Sequence, residues 1–279
     1  MTPGDSSSLR SMSAREVRAR IRAGAVDAPT AGMADGFMQA NLAILPREHA
    51  ADFLAFCRAN PKPCPLLGVS RAGEAGIPGV AEDLDIRTDL CGYRVYRDGR
   101  CTDRVSDIAA LWRDDLVVFA LGCSFSFEHA LLHAGLAVRH IDCGCNVPMF
   151  KTAIPTMPRG RFSGPLVVSM RPFAPADAIR AICLSDRMPL AHGAPVHFGD
   201  PAAIGIADLQ SPDYGDAVPV AAGEVPVFWA CGVTPQAVLE TARLPFAITH
   251  DPGHMLITDI RNADVYDLGG LVEDDSISF

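Results

Sequence analysis

Two histidines frame a short turn near the carboxyl end of the chain, His250-Asp251-Pro252-Gly253-His254. Imidazoles four residues apart on a helix share a face and can bind a metal. Pro252-Gly253 forbids that helix, so the segment reads as a loop at the end of a strand. An unperturbed imidazole titrates at about pH 6.5, which suits general acid–base work. His250 and His254 are therefore candidates for a proton-transfer pair, and Asp259 is placed to orient one of them. The plain alternative is two partly exposed loop histidines.

Anion binding has its own candidates. Gly122-Cys123-Ser124-Phe125-Ser126 and Cys231-Gly232-Val233-Thr234 each put small polar residues between an apolar strand and a helix. Free N–H groups and the helix dipole at such a point favour a carboxylate. Ser126 and Thr234 would equally serve as helix caps. Cys123 and Cys231, at helix N-termini, are either activated thiols or small buried hydrophobes. Arg171 ends an apolar strand and is placed to fork a carboxylate, or to pair with a neighbouring acid. Arg87 invites the same two readings, with local pairing favoured. Between Pro195 and Asp216, the residues His197, Asp200, Asp208, Asp213 and Asp216 would suit a hard divalent ion. Asx turns explain most of those aspartates without one. Cys143-Gly144-Cys145 lacks the second ligand pair of a zinc site.

The elements that would position these residues follow from patterning. Ser13 and Glu16 form a capping box opening a helix to Ala23. Pro46 opens a helix to Ala59, and Pro175 another to about Arg187. Phe127–Leu136 is predicted helical, and Thr234 is predicted to cap a helix running to Arg243. Strands are predicted at Leu66–Val69, Leu116–Leu121, Val138–Ile141, Leu166–Met170, Val225–Ala230, Phe246–Thr249 and Met255–Ile260. Tyr93–Tyr96 enters a tight turn at Asp98-Gly99. Alternation of strand and helix predicts an α/β fold with a mixed, largely parallel sheet and helices on both faces. Two intimately associated lobes are expected, 13–140 with 220–272 and a smaller 141–219. Tails are expected at 1–12 and 273–279. An internal repeat relates Val118–Leu136 to Val227–Leu244. Either two strand–helix units share patterning by chance, or a duplication brings two similar turns around one pocket.

A chain of 279 residues with 49% hydrophobic residues buries a sizeable core. Its net charge of −9 disfavours nucleic acid and anionic membrane as partners. The Ser-rich first twelve residues hold no apolar signal, and the longest apolar run, Leu116–Leu121, is too short to span a bilayer. A cytoplasmic location is expected, with the nine cysteines reduced. The apolar bias is compatible with homo-oligomerisation.

Taken in order, the segments say more. QANLAILP (39–46), FCRANPKPCPLL (56–67), DLDIRTDL (83–90), YRVYRDG (93–99) and GCSFSFE (122–128) form the first group. NVPMF (146–150), GPLVVSMRP (164–172), PVHFGDPAAIGIADLQSPDYGD (195–216), PVFWACGVTPQ (226–236) and ITHDPGHMLITD (248–259) follow. The ordered set resembles the D-glutamate cyclase family, which includes many bacterial proteins named as hydro-lyases. Cys91 stands where a proline often follows the DIRTD stretch, and Cys143-Gly144-Cys145 replaces a run poorer in cysteine.

The resemblance implies dehydration of D-glutamate to 5-oxo-D-proline, the amine attacking the γ-carboxyl of the same molecule. That reaction needs a carboxylate anchor, a base for the ammonium, donors for charge on the γ-carboxyl and an acid for the departing oxygen. Arg171 is assigned to one carboxylate, and Ser124, Ser126 and Thr234 to the other. His250 and His254 divide base and acid. Asn146, His197, Cys231, Gly232 and Gly253 are assigned to the substrate pocket. Nothing in the sequence requires a cofactor. A manganese or magnesium ion would help by polarising the γ-carboxylate, though no ligand set is assigned. The alternatives are a hydro-lyase or amide hydrolase for another small carboxylate, a cysteine-nucleophile enzyme, and a non-catalytic binder of an acidic metabolite.

Overall fold

Residues 8–265 are described by a computed structural model. Helix α1 (Ala14–Arg22) is opened by the expected Ser13–Glu16 capping box. It is followed by β1 (Phe37–Pro46), α2 (Arg47–Ala59), β2 (Leu66–Val69) and the hairpin β3 (Tyr93–Arg97) to β4 (Arg100–Val105). Asp98 and Gly99 are both left-handed, at φ 51° and 77°, as a two-residue hairpin requires. Then come β5 (Leu116–Gly122), α3 (Phe125–His133), the single turn α4 (Arg139–Asp142), β6 (Met149–Pro155), β7 (Pro165–Phe173) and α5 (Pro175–Asp186). The described part closes with β8 (His197–Phe198), β9 (Val225–Ala230), α6 (Thr234–Ala242), β10 (Ala247–His250) and β11 (Leu256–Arg261). The expected tails fall outside the described residues, apart from 8–12.

Two sheets result. Sheet A runs β2-β5-β1-β10-β3-β4, with β11 also paired to β1; sheet B runs β6-β7-β9-β8. Every pairing in both is antiparallel. The expectation of a largely parallel sheet is therefore overturned, and the fold is a mixed α/β arrangement of two antiparallel sheets.

The reason is physical. Helix α3 leaves β5 in sheet A and leads to β6 in sheet B; α6 leaves β9 in sheet B and leads to β10 in sheet A. Neither is a crossover within one sheet. Hydrophobic periodicity reports a strand–helix–strand order but not which sheet the second strand joins. Sheet A is also buried on both faces, so its strands show the unbroken apolar runs usual for parallel sheets. One face packs Ala43, Leu45, Val117 and Phe119 against Phe53 and Phe56 of α2 and Val238 and Leu239 of α6. The other packs Leu42, Ile44, Val118 and Ala120 against Ile77, Ile86, Leu90 and Ile108, largely from loops.

The internal repeat extends into the topology. In sheet A, β5 lies between β2 and β1; in sheet B, β9 lies between β8 and β7. Each outer edge is completed by the other half: β10 and β11 pair with β1, and β6 pairs with β7. The register agrees, with Gly122 opposite Ala40 and Ala230 opposite Val168. Four residues past each strand end sits a hydroxyl. Ser126 Oγ accepts from Gln39 N at 3.3 Å, and Thr234 Oγ1 accepts from Val167 N at 3.1 Å. Each ties its helix to the strand beside it.

Helix capping was one of the two readings of those hydroxyls, carboxylate binding the other. The caps are Ser124 and Val233 instead, and neither makes a side-chain cap bond. The strand expected at Val138–Ile141 is the short helix α4. A run of four apolar and mixed residues does not separate a strand from a buried helical turn.

Candidate functional site

The ladder along β1 is interrupted. Strand β10 pairs with Ala43 and Ile44, and β11 with Phe37, Gln39 and Ala40. Between them, Asn41 and Leu42 face the turn 250–254. His250 fills the gap: its Nδ1 lies 3.1 Å from Leu42 N and 3.4 Å from the Leu42 carbonyl, and the shorter contact has the Leu42 N–H donating to Nδ1. The ring proton is thereby assigned to Nε2. Nε2 is buried and has no partner among the described residues. Burial pulls the His250 pKa down to about 4, so the ring is neutral near pH 7. Gln236 of α6 donates from Nε2 to the His250 carbonyl at 3.0 Å, and its own Oε1 is a second buried atom without a partner.

Asp251 is the charged centre of the turn. Arg94 Nε donates to it at 2.7 Å, and Arg104 binds its other oxygen. Arg94 and Arg104 are directly opposed on β3 and β4, an arrangement that repels unless an anion lies between them. Burial raises the Asp251 pKa, but the two guanidiniums outweigh it and hold the carboxyl below its usual value. His254 Nδ1 lies 3.3 Å from the Pro252 carbonyl and 3.7 Å from Asp251 Oδ2. An Nδ1–H directed there leaves the Nε2 lone pair free. Gly253, at φ 87°, makes the sharp bend, and its carbonyl accepts from Thr30 N at 2.8 Å. Asn146 Nδ2 packs 3.1 Å from the position a Gly253 Cβ would take.

The first turn of α6 adjoins this loop. A Cβ on Gly232 would overlap the Asn41 carboxamide, so only glycine fits there. Burial pushes the Cys231 thiol up to about 11, although Val233 N–H donates to it. Cys123 is likewise pushed up by burial while accepting from Phe125 N–H. Both are protonated thiols, which does not suit a nucleophile. Tyr214, whose buried Oη has no partner among the described residues, is within electrostatic reach of Arg94 and Cys231.

Other residues expected in the pocket lie elsewhere. Arg171 is fully buried and committed to the protein: Nε donates to Glu128 at 2.8 Å, Nη1 to Ser169 at 2.9 Å and Nη2 to Ser124 at 3.0 Å. Its guanidinium lies over Phe127 and Trp229. The pairing alternative holds for it, as for Arg87, which binds Asp85. Asp259 pairs with Arg18 at 2.9 Å and accepts from Glu82 N at 3.1 Å. Asp251 has the neighbourhood expected of it. His197 Nε2 faces the Asp200 carbonyl at 2.8 Å, and its ring packs on Phe228, on the opposite face of sheet B from Arg171. The 195–216 aspartates serve backbone N–H groups, of Ala202, Gln210, Lys151 and Asn146. The turn 250–254 fits a resident metal no better, because its one carboxylate is already shared by two arginines.

Five contributors were not singled out from the sequence: Asn41, Arg94, Arg104, Gln236 and Asp251. Asp251 lay inside the recognised turn. Arg94 and Arg104 were within reach of the predicted hairpin, whose register sets them opposite each other. Asn41 and Gln236 carried no signal of their own.

A model of the D-glutamate cyclase family matches residues 117–259, from β5 to β11 and so across both helix turns and the histidine loop. A Bordetella petrii protein named "Putative hydro-lyase" is 59% identical over 254 residues, covering 91% of this chain and 96% of its own. One of the same name from Bordetella pertussis is 62% identical over 248 residues, covering 89% and 90%. Another, from a Bradyrhizobium species, is 61% identical over 236 residues, covering 85% and 87%. The chain belongs to the D-glutamate cyclase family. Membership makes it an enzyme of the hydro-lyase class. Among the described residues, no helix of this cyclase-family chain is long and apolar enough to cross a membrane.

Proposed function

We propose that this chain converts D-glutamate to 5-oxo-D-proline and water, at the space bounded by the 250–254 turn, the start of α6 and Asn146. One observation carries the reading. A buried neutral imidazole with a free Nε2–H, and an adjacent buried carboxamide with a free oxygen, meet a second histidine backed by a carboxylate. Burying such polar atoms without partners costs about 1–3 kcal/mol each, and a polar ligand reaching them would relieve that cost, which supports the reading.

The roles follow from the chemistry. The α-carboxylate sits at the N-terminus of α6, where the dipole is positive. The ammonium faces Gln236 Oε1 and loses a proton to His254, whose imidazolium Asp251 stabilises. The nitrogen attacks the γ-carboxyl carbon, and His250 Nε2–H bonds the carboxyl oxygen that gains charge. The new C–N bond replaces one C–O bond. Both protons lost by nitrogen leave with that oxygen as water, one returned through His254. Folding the substrate so that nitrogen and the γ-carboxyl carbon touch supplies much of the acceleration.

Proton NMR of the purified chain with D-glutamate tests this, with L-glutamate as control and divalent metal both added and withheld. The 5-oxoproline signals should appear from the D-isomer alone. No product under any metal condition removes D-glutamate as substrate, and a thermal-shift screen of other small carboxylates would follow.

A further inference from the structure

Two histidines four apart on a true helix do occur in this chain, outside the site above. His129 and His133 lie on successive turns of α3, with ring centroids 4.1 Å apart. Asp35, in the loop before β1, contacts both: His129 Nδ1 bonds Oδ1, and His133 Nε2 lies 3.7 Å from Oδ2. One ligand atom from each residue lies within 4.8 Å of the other two. Around a tetrahedral zinc with bonds of about 2.0–2.1 Å, ligand atoms sit roughly 3.4 Å apart, so a small rotamer change closes the set.

From this geometry we infer that Asp35, His129 and His133 form a binding site for a zinc-class divalent transition ion. Two imidazoles and one carboxylate select zinc, cobalt or nickel over the hard ions magnesium and calcium. The loop carrying Asp35 is held in place: Asp35 N donates to the Arg10 carbonyl at 2.9 Å and Ala34 N to the Leu9 carbonyl at 3.0 Å. Flanking residues Ala34 and Gly36 are both left-handed, at φ 45° and 91°, which presents the Asp35 side chain outward from a tight bend. The side chains are partly exposed, at 29% for Asp35, 23% for His129 and 62% for His133, so the ion can enter from solvent. Three protein ligands leave coordination open to a cleft of about 630 Å³ lined by Arg10, Ser11, Met12, Ser13, Asp35 and Phe37. A water or small carboxylate would complete the shell there. Arg10, whose Nε lies 3.4 Å from Asp35 Oδ2, competes with the ion for the carboxylate. A bound ion would tie the loop before β1 to α3, the helix that also holds Ser126 against β1.

Titration of the full chain with cobalt, followed by visible absorption, tests the site without reference to turnover. Thermal shift with zinc gives a second reading. One equivalent should bind with nitrogen–oxygen bands, and zinc should raise the Tm. His129→Ala, His133→Ala and Asp35→Asn should each weaken binding at least tenfold and abolish the Tm rise, with Tm before metal addition close to wild type. Arg10→Ala should tighten binding severalfold. Unchanged affinity in the three ligand variants would overturn the site. So would a thiolate-to-cobalt charge-transfer band, which would place the ion on cysteine, or binding weaker than millimolar in the wild type.

Discussion

The first turns of α3 and α6 are built alike and used differently. Each follows a central strand, places a buried cysteine one residue past the strand end, and sends a hydroxyl back to the neighbouring strand. At α3 the charged groups are paired within the protein. Arg171, Glu128, Ser124 and Ser169 form a hydrogen-bonded buried set beside His140, in which Arg171 and His140 pull the Glu128 pKa down to about 2 against the effect of burial, although the His140 ring nitrogens make no hydrogen bond among the described residues. At α6 the neighbours are Asn41, Gln236, His250 and the 250–254 turn, and buried polar atoms are left over. One strand–helix unit is tied together by a buried ion pair; the other carries the site proposed for substrate.

Breaking the buried ion pair should produce the largest stability loss. Arg171→Met strands the Glu128 carboxylate without its main counter-charge, and removing one partner of a buried pair costs about 3–5 kcal/mol. Urea denaturation should show it as a lower midpoint. The double variant Arg171→Met/Glu128→Leu should regain most of the loss, because no lone charge remains. A single variant as stable as wild type would mean that the α3 side is not held by that ion pair.

Acid should separate the two copies in sequence. The folded His250 pKa is depressed, so the unfolded chain binds more protons between its value of about 6.5 and the folded value of about 4. Stability supplied by neutral His250 is whole above pH ~6.5 and is lost as pH falls toward 4, about 3 kcal/mol at 1.4 kcal/mol per unit. Glu128 carries its charge until pH approaches about 2. A pH series of unfolding midpoints should slope through pH 4–6.5, and His250→Gln should reduce that slope, leaving the part from His192, whose pKa burial also pulls down to about 4. An equal slope in wild type and variant would show that His250 is not the group that titrates.

The sequence carried the parts of this comparison better than their connections. Capping at Ser13, the Asp98-Gly99 turn and most helix limits rest on local chemistry and appear as read. The strand–helix repeat was also visible in Val118–Leu136 and Val227–Leu244. Its meaning was not, because exchange of β6 and β10 between sheets is a long-range choice that leaves no local signature. The same limit governed the site. Arg171 looked like a substrate anchor and Asp259 like the acid orienting a histidine until Glu128 and Arg18, distant in sequence, turned out to occupy them. Asp251 was hidden by the assumption that an orienting acid would come from the next strand.

Within the proposed site, His254 should matter more to rate than to folding. Its side chain is 17% exposed and its nearest polar contacts are the Pro252 carbonyl and Asp251, so truncation leaves no buried charge behind. His254→Ala should lower kcat by about a hundredfold or more, in the range of general acid–base catalysis, with Tm within a few degrees of wild type. NMR turnover assays paired with thermal melts read both. Near-normal kcat would move the base elsewhere in the turn.

The smallest effect is expected at the feature the copies share most closely. Cys123 and Cys231 each accept a backbone N–H two residues on, and burial keeps both thiols protonated. A hydroxyl can take the same N–H, so Cys231→Ser and Cys123→Ser should each cost about 1 kcal/mol or less of stability and leave kcat within a few-fold. Alkylating reagents should react first with the exposed Cys101, Cys143 and Cys183, without stopping turnover. Loss of activity in Cys231→Ser, with Cys123→Ser unaffected, would mean that the proposed site works through a thiolate. The two turns would then differ in reactive chemistry as well as in what surrounds them, and His254 would become the base that activates sulfur.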